Sequence, residues 1–181
     1  MLKRMVIGLP RSGTTWAANW LTDAGQVCAH DPLYHTHYSA WHRTYDGVSC
    51  SGIWDWPEFV AAQTCPILIL HRPWAEVEDA LHRFDPGYNG WLAPDAERRL
   101  LALERPGVMV VNWRGLFNPE IAARIWRHLH MPVQFDAVRH KHLAAMNIQP
   151  AERVPRNADR ELHARLMAEL REKRERARNV V

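Results

Sequence analysis

The chain has 181 residues, 47% of them hydrophobic and 24% charged, which is enough apolar material for one enzyme-sized domain with its own core. A formal net charge of +3 is modest, and no stretch reaches the ~18 apolar residues of a membrane span. Cys28, Cys50 and Cys65 are odd in number and widely spaced, as free thiols in a reducing compartment are, and Met1-Leu2-Lys3-Arg4 leads straight into an apolar run without a signal-like segment, so the expected location is the cytoplasm.

The run Val6-Ile7-Gly8-Leu9-Pro10-Arg11-Ser12-Gly13-Thr14-Thr15-Trp16 reads as a buried strand, a glycine-containing phosphate loop and the first turn of a helix. In such a loop successive backbone N–H groups face one concavity and the following helix directs its positive end there, which favours an anion. Gly8 and Gly13 allow close approach of the backbone, Thr14 and Thr15 add hydroxyls, and Arg11 brings a planar donor fork suited to phosphate or sulfate oxygens. The spacing Gly8-x4-Gly13-Thr14-Thr15 meets the nucleotide-triphosphatase pattern except that Thr14 stands where that pattern has lysine. The cation has moved into the loop as Arg11.

The helix beginning near Thr14 carries Trp16, Trp20 and Leu21 inward, and a second strand is expected at Gly25-Gln26-Val27-Cys28-Ala29, ending in His30-Asp31-Pro32. Leu33 to Trp56, rich in His, Tyr, Trp, Ser and Gly without clean periodicity, reads as a long functional loop or lid with one short helix; Trp41, Trp54 and Trp56 in it serve either packing or the wall of a planar acceptor site. Pro57 to Gln63 suits a helix with proline in its first turn. Cys65-Pro66-Ile67-Leu68-Ile69-Leu70 is the apolar run of a central parallel strand, followed by His71-Arg72-Pro73 and a helix from Ala75 to Arg83. After the turn-rich Asp85 to Gly90, Asp95 is placed to cap a helix reaching about Leu103. Val108 to Asn112 is the next buried strand, and Asn118-Pro119-Glu120 starts a helix with Ile121, Ile125, Trp126 and Leu129 on one face. Strands alternating with helices imply an open, mostly parallel α/β sheet whose ligand lies at the carboxyl ends of its strands.

In the last segment Arg171, Lys173, Arg174, Arg176 and Arg178 are interleaved with Glu169, Glu172 and Glu175, the pattern of a solvated helix face; with acids interspersed, nucleic acid is not the expected partner. His35 with His37, and His140 with His142, alternate as residues on one strand face do, but no Cys pair or His-Glu-x-x-His accompanies them and no metal is expected.

The string Pro10-Arg11-Ser12-Gly13-Thr14-Thr15-Trp16 closely resembles the 5'-phosphosulfate-binding loop of sulfotransferases, which take 3'-phosphoadenosine 5'-phosphosulfate as donor and need no metal. The resemblance covers most of residues 3 to 150, though only this loop is specific, and it implies a small, divergent member of bacterial or phage type. The fold it implies is the P-loop NTPase-like three-layer α/β/α arrangement with a mostly parallel sheet over residues 1–157, the charged helix of 158–181 belonging to or packing on it. Donor contacts are implied at Pro10, Arg11, Ser12, Gly13, Thr14, Thr15 and Trp16. Pro66 to Leu81 is similar to the family's strand and helix for the donor's 3'-phosphate. The motif arginine there falls on His71 or Arg72, of which Arg72 is cationic without help, and the motif serine falls on Asp79, or on Ala80 with a one-residue insertion. Neither supplies a hydroxyl, and an aspartate facing a phosphate repels it.

Asn112-Trp113-Arg114-Gly115-Leu116-Phe117 resembles the family's Tyr-Glu-Asp-Leu-type turn, and His142 to Asn147 the segment that closes many bacterial members. The family's glycine-rich carboxyl-terminal segment is not evident, although Arg153, Pro155 and Arg156 lie where basic residues are wanted. The implied activity is sulfuryl transfer to a hydroxyl or amine of a small-molecule or carbohydrate acceptor. Arg11 stabilises the transferring group and either Asp31, at the family position, or His30, with the better intrinsic pKa, is the base. Two other readings stay open: a P-loop kinase or nucleotide hydrolase, against which Thr14 stands, and a phosphate-binding interaction protein without catalysis, to which Asp79 lends support.

Overall fold

The computed structural model describes residues 2–22, 26–34 and 36–145, all within the compact unit Met1–Gln149. His35, the Met146-Asn147 end of the closing segment, Arg153, Pro155, Arg156 and the charged stretch 158–181 lie outside the described residues.

Five short strands, β1 (Arg4–Gly8), β2 (Cys28–His30), β3 (Gly47–Cys50), β4 (Ile67–His71) and β5 (Val108–Asn112), form one sheet in the order β2-β3-β1-β4-β5. Every neighbouring pair is parallel, with Val6 opposite Ser49 on one side and Leu68 on the other. Among the described residues there are seven α-helices, α1 (Thr14–Leu21), α2 (Trp41–Thr44), α3 (Pro57–Ala61), α4 (Trp74–Phe84), α5 (Ala96–Leu101), α6 (Pro119–His128) and α7 (Ala137–Ala145), the last two following β5.

Alternation along the strands sends side chains to two cores, one on each face. Met5, Ile7, Val48, Ile67 and Ile69 pack with Trp41, Trp54, Val60, Val77, Leu81 and Leu100 from α2 to α5 and the turn before α3. Val6, Leu68 and Leu70 pack with Trp16, Trp20 and Leu21 of α1 and with Ala122, Ile125 and Trp126 of α6. Burial on both faces is why β1 and β4 read as unbroken apolar runs. The expected inward set Trp16, Trp20 and Trp126 is buried as predicted.

Several expectations need correction. Leu33 to Trp56 is not one long loop: it contains β3, which pairs between β2 and β1. β3 is Gly-Val-Ser-Cys, with one branched aliphatic, so it lacks the apolar signature of a strand, yet all of it is buried. Gly47 is required there, because a Cβ would meet Arg4 Cγ at 2.7 Å. Trp41 and Trp54 belong to the core, 0% and 2% exposed, and do not line a surface wall; Trp56 packs against the same core. Asp95 sits at the start of α5 without capping it; its carboxylate pairs with Arg98 at 2.8 Å instead. His140 and His142 lie on α7, not on a strand, so they diverge: His140 is buried and bonds the Leu116 carbonyl at 2.7 Å, and His142 is exposed.

The Asn118 side chain accepts hydrogen bonds from the backbone of Glu120 and Ile121 and so caps α6, with Pro119 in its first turn. We expect Asn118→Ala to cost about 1 kcal/mol and Trp20→Ala, which empties the core under α1, about 3–5 kcal/mol. Urea unfolding checks both, and a larger loss for Asn118→Ala than for Trp20→Ala would contradict this packing.

Candidate functional site

Because all five strands are parallel, their carboxyl ends share one edge, and β1 is central in it. The chain leaves β1 for α1 on one face and returns to β4, on the other side of β1, through α3 on the opposite face. The crevice of an open α/β sheet forms where successive connections diverge in this way.

Beyond Gly8 the backbone turns sharply, with the Ser12 N–H donating to the Leu9 carbonyl at 3.2 Å. Arg11 (φ 66°) and Gly13 (φ 87°) are both left-handed. Alternation of this sort bends a chain so that successive N–H groups face the same side. Gly13 is the residue the conformation demands, and a Cβ there would also meet Leu116 Cδ1 at 2.9 Å. The N-cap of α1 is Gly13, which has no side chain to bond the N–H groups of the first turn. The Ser12 hydroxyl in the loop is buried and has no hydrogen-bond partner.

Two arginines meet at this loop. The Arg11 guanidinium lies 4.4 Å from the Phe84 ring at the end of α4. Arg72, just past β4, donates through Nη1 to the Arg11 carbonyl and lies 4.4 Å from the Trp113 ring. Burial lowers the pKa of both, and for Arg11 the like charge of Arg72 lowers it further. Of the two residues the motif arginine could fall on, Arg72 is the one at the loop. His71 turns elsewhere, bonding Glu97 Oε1 at 2.6 Å, while Glu97 Oε2 accepts from the Trp74 N–H at 2.7 Å and so caps α4 from α5.

On the other side of β1, His30 and Asp31 follow β2. His30 Nε2 lies 3.0 Å from Thr15 Oγ1, 3.4 Å from Thr14 Oγ1 and 3.2 Å from Asp31 Oδ2. His30 Nε2 thus faces two hydroxyls and a carboxylate at once. Asp31 is left-handed (φ 42°), 8% exposed, and receives both the backbone N–H and the hydroxyl of Ser51, the latter at 2.9 Å. Ser51 escaped the sequence reading because it follows β3, the strand that reading missed. Ser49 of β3 joins the two halves, its hydroxyl donating to the Thr14 carbonyl at 2.8 Å and its carbonyl accepting from the Asp31 N–H at 2.9 Å.

The remaining candidates divide. Pro10 and Thr15 are half-exposed at the loop. Trp16 is 3% exposed, its Nε1 donating to the Leu143 carbonyl at 3.1 Å and its ring against Trp20, Phe117 and His140, so it is a core residue. Asp79 is exposed and paired with Arg83 at 2.6 Å, so its charge is balanced within α4; Ala80 is buried. Among the described residues no group of three His, Cys, Asp or Glu side chains is arranged to hold a metal ion, and no helix is long and apolar enough to cross a membrane. The buried Cys28 thiol is pushed up to about 12 by desolvation and burial raises Cys50 as well, so neither is a ready nucleophile at neutral pH.

No family model, curated protein or solved structure matches this chain.

Gly13→Ala forces a left-handed alanine against Leu116, and we expect a loss of about 1–3 kcal/mol by thermal or urea unfolding. The hydrogen bond from His71 holds the Glu97 carboxyl below its ordinary 4.5. A depressed acid stabilises the folded state fully above its unfolded value and ceases to as pH falls through its folded value. Below pH 4.5 the urea midpoint of the native protein should therefore fall more steeply than that of Glu97→Gln. Parallel pH profiles would refute this role for Glu97.

Proposed function

We propose that the chain is a sulfotransferase-like enzyme on a P-loop NTPase-like fold, moving a sulfuryl group from 3'-phosphoadenosine 5'-phosphosulfate to an acceptor hydroxyl or amine. The observation that carries this reading is the Arg11 to Thr15 loop at the carboxyl end of the central strand. It has two left-handed residues, an uncapped helix behind it and a second arginine, Arg72, on its rim. Such a cradle suits the 5'-phosphosulfate end of the donor. With Thr14 in place of the lysine that phosphoryl-transfer loops aim at terminal phosphates, Arg11 is the cation available to the transferring group.

The roles of the residues follow from their chemistry. Arg11, the loop amides and the Thr14 and Thr15 hydroxyls hold the oxygens on which charge builds as the sulfur–oxygen bond to the donor's 5'-phosphate breaks. His30 takes the acceptor's proton as the acceptor oxygen bonds to sulfur, and Asp31 balances the resulting imidazolium. Asp31 suits the supporting role better than that of base, since Ser51 and His30 already occupy its oxygens.

Thermal shifts with adenosine 3',5'-bisphosphate, ATP with magnesium, and inorganic sulfate test the reading. The bisphosphate should raise the melting temperature of the native protein but not of Arg11→Ala. A response only to ATP with magnesium would overturn the proposal, and no response to any of the three would favour an interaction protein without catalysis.

A further inference from the structure

At the end of the sheet away from the loop, a buried cation stands without an ion pair among the described residues. Arg4 opens β1, Gly47 opens β3 beside it and Cys28 opens β2 beside Gly47, so the three form one row across the amino ends of the strands. A Cβ on Gly47 would meet Arg4 Cγ at 2.7 Å and Cδ at 3.4 Å. The stem of Arg4 therefore runs over β3 through the space that glycine leaves, toward β2. Side chains two apart on a strand share a face, so Arg4 lies on the side of Val6, where Cys28, Trp20 and Leu21 pack. The guanidinium is thus carried into an apolar layer.

In that position Arg4 is 2% exposed, and its Nε and Nη1 have no hydrogen-bond partner. The groups that act on its charge are Cys28, Asp46 and Cys65. Asp46 is engaged elsewhere: its Oδ1 lies 2.8 Å from Lys3 Nζ, and its Oδ2 accepts from the Val27 N–H at 3.3 Å. Both thiols stay protonated at neutral pH, since burial pushes Cys28 up to about 12 and raises Cys65 as well. Lys3 and Arg4 against Asp46 leave one positive charge, and it rests on the buried residue. Burial lowers the pKa of Arg4, but an arginine keeps its proton in a protein, so the charge persists. Buried donors left unmade on a charged group are costly, and an acceptor that carries negative charge removes that cost.

We propose that Arg4 is the centre of an anion site at the amino end of the sheet, and that its ligand is a small, singly charged inorganic anion, chloride in ordinary salt. One negative charge balances the excess, whereas a dianion would reverse it beside Asp46. A spherical ion accepts N–H donors from any direction, without the fork geometry that a carboxylate or phosphate matches. The bound ion stabilises the folded chain, because only the folded chain assembles this row. Since the site lies at the opposite ends of the strands from the Arg11 loop, it stands apart from the nucleotide reading.

The test is the melting temperature of the full chain in sodium chloride against sodium gluconate at fixed ionic strength. Chloride should raise it along a saturating curve, by about 2–4 °C at several times the dissociation constant. Arg4→Met keeps the stem and removes the charge, so it should lose the response to chloride and melt no lower than the native protein in gluconate. Arg11→Ala should keep the response, which separates this site from the loop. Crystals of the native protein grown in sodium bromide give a readout that depends on no variant: an anomalous peak within hydrogen-bond reach of Arg4 Nε or Nη1. Equal melting in chloride and gluconate, a response that survives Arg4→Met or is lost in Arg11→Ala, or the lack of a bromide peak at Arg4 would each overturn the proposal.

Discussion

β1 hydrogen-bonds in parallel to β3 along one edge and to β4 along the other, and the groups around the loop meet because of that pairing. A parallel neighbour must be reached by a crossover, so each strand runs in the same sense and delivers its last residue to the same edge. Gly8 and the loop after it therefore lie between the end of β3, which brings Ser51, and the end of β4, which brings Arg72. The next strand on each side adds His30 and Asp31 from β2 and Trp113 and Arg114 from β5. Antiparallel pairing at any one of these junctions would remove a group from the edge.

The arrangement concentrates positive charge, and the structure offsets it locally. Burial lowers the tendency of both Arg11 and Arg72 to hold a proton, and the charge of Arg72 lowers that of Arg11 further, but an arginine stays cationic in a protein, so the repulsion is balanced and not relieved by proton loss. The Arg11 carbonyl, the Trp113 and Phe84 rings and the Glu76 carboxylate supply that balance. A left-handed arginine is unfavourable on its own, and the bond from Arg72 to its carbonyl is one that holds it there. Loop shape and loop charge are thus set by the same side chain.

Much of this was legible in the chain. β5 occupies the run Val108 to Asn112 that its apolar character marked, although as an edge strand it is half-buried and not the buried strand expected, and α6 begins at the Asn-Pro-Glu signal with Asn118 as its cap. The sharp turn between β1 and α1 was legible because glycine spacing is a local property. β3 was not, since its burial depends on Gly47 fitting against Arg4 and on Ser49 bonding a helix carbonyl, partners that lie 43 and 35 residues away. The contacts of Glu76 with Arg72 and Arg114 were hidden for the same reason: in sequence Glu76 is one acid in an ordinary amphipathic helix. Asp95 shows the converse, a good capping residue whose carboxylate found an arginine one turn on.

Ser49 has a consequence for how such a protein diversifies. Its hydroxyl and carbonyl tie the start of α1 to the turn carrying His30, so the loop and that turn form one fixed unit that does not depend on the path the chain takes from β2 to β3. That path, residues 31 to 46, leaves one strand and returns to the next, and lengthening such an excursion adds closure entropy only slowly. Insertions or deletions in its exposed part leave the spacing between the loop and His30 unchanged, whereas Trp41 within it is held by the core. The strand least visible in the sequence is thus what uncouples the length of this excursion from the geometry of the loop.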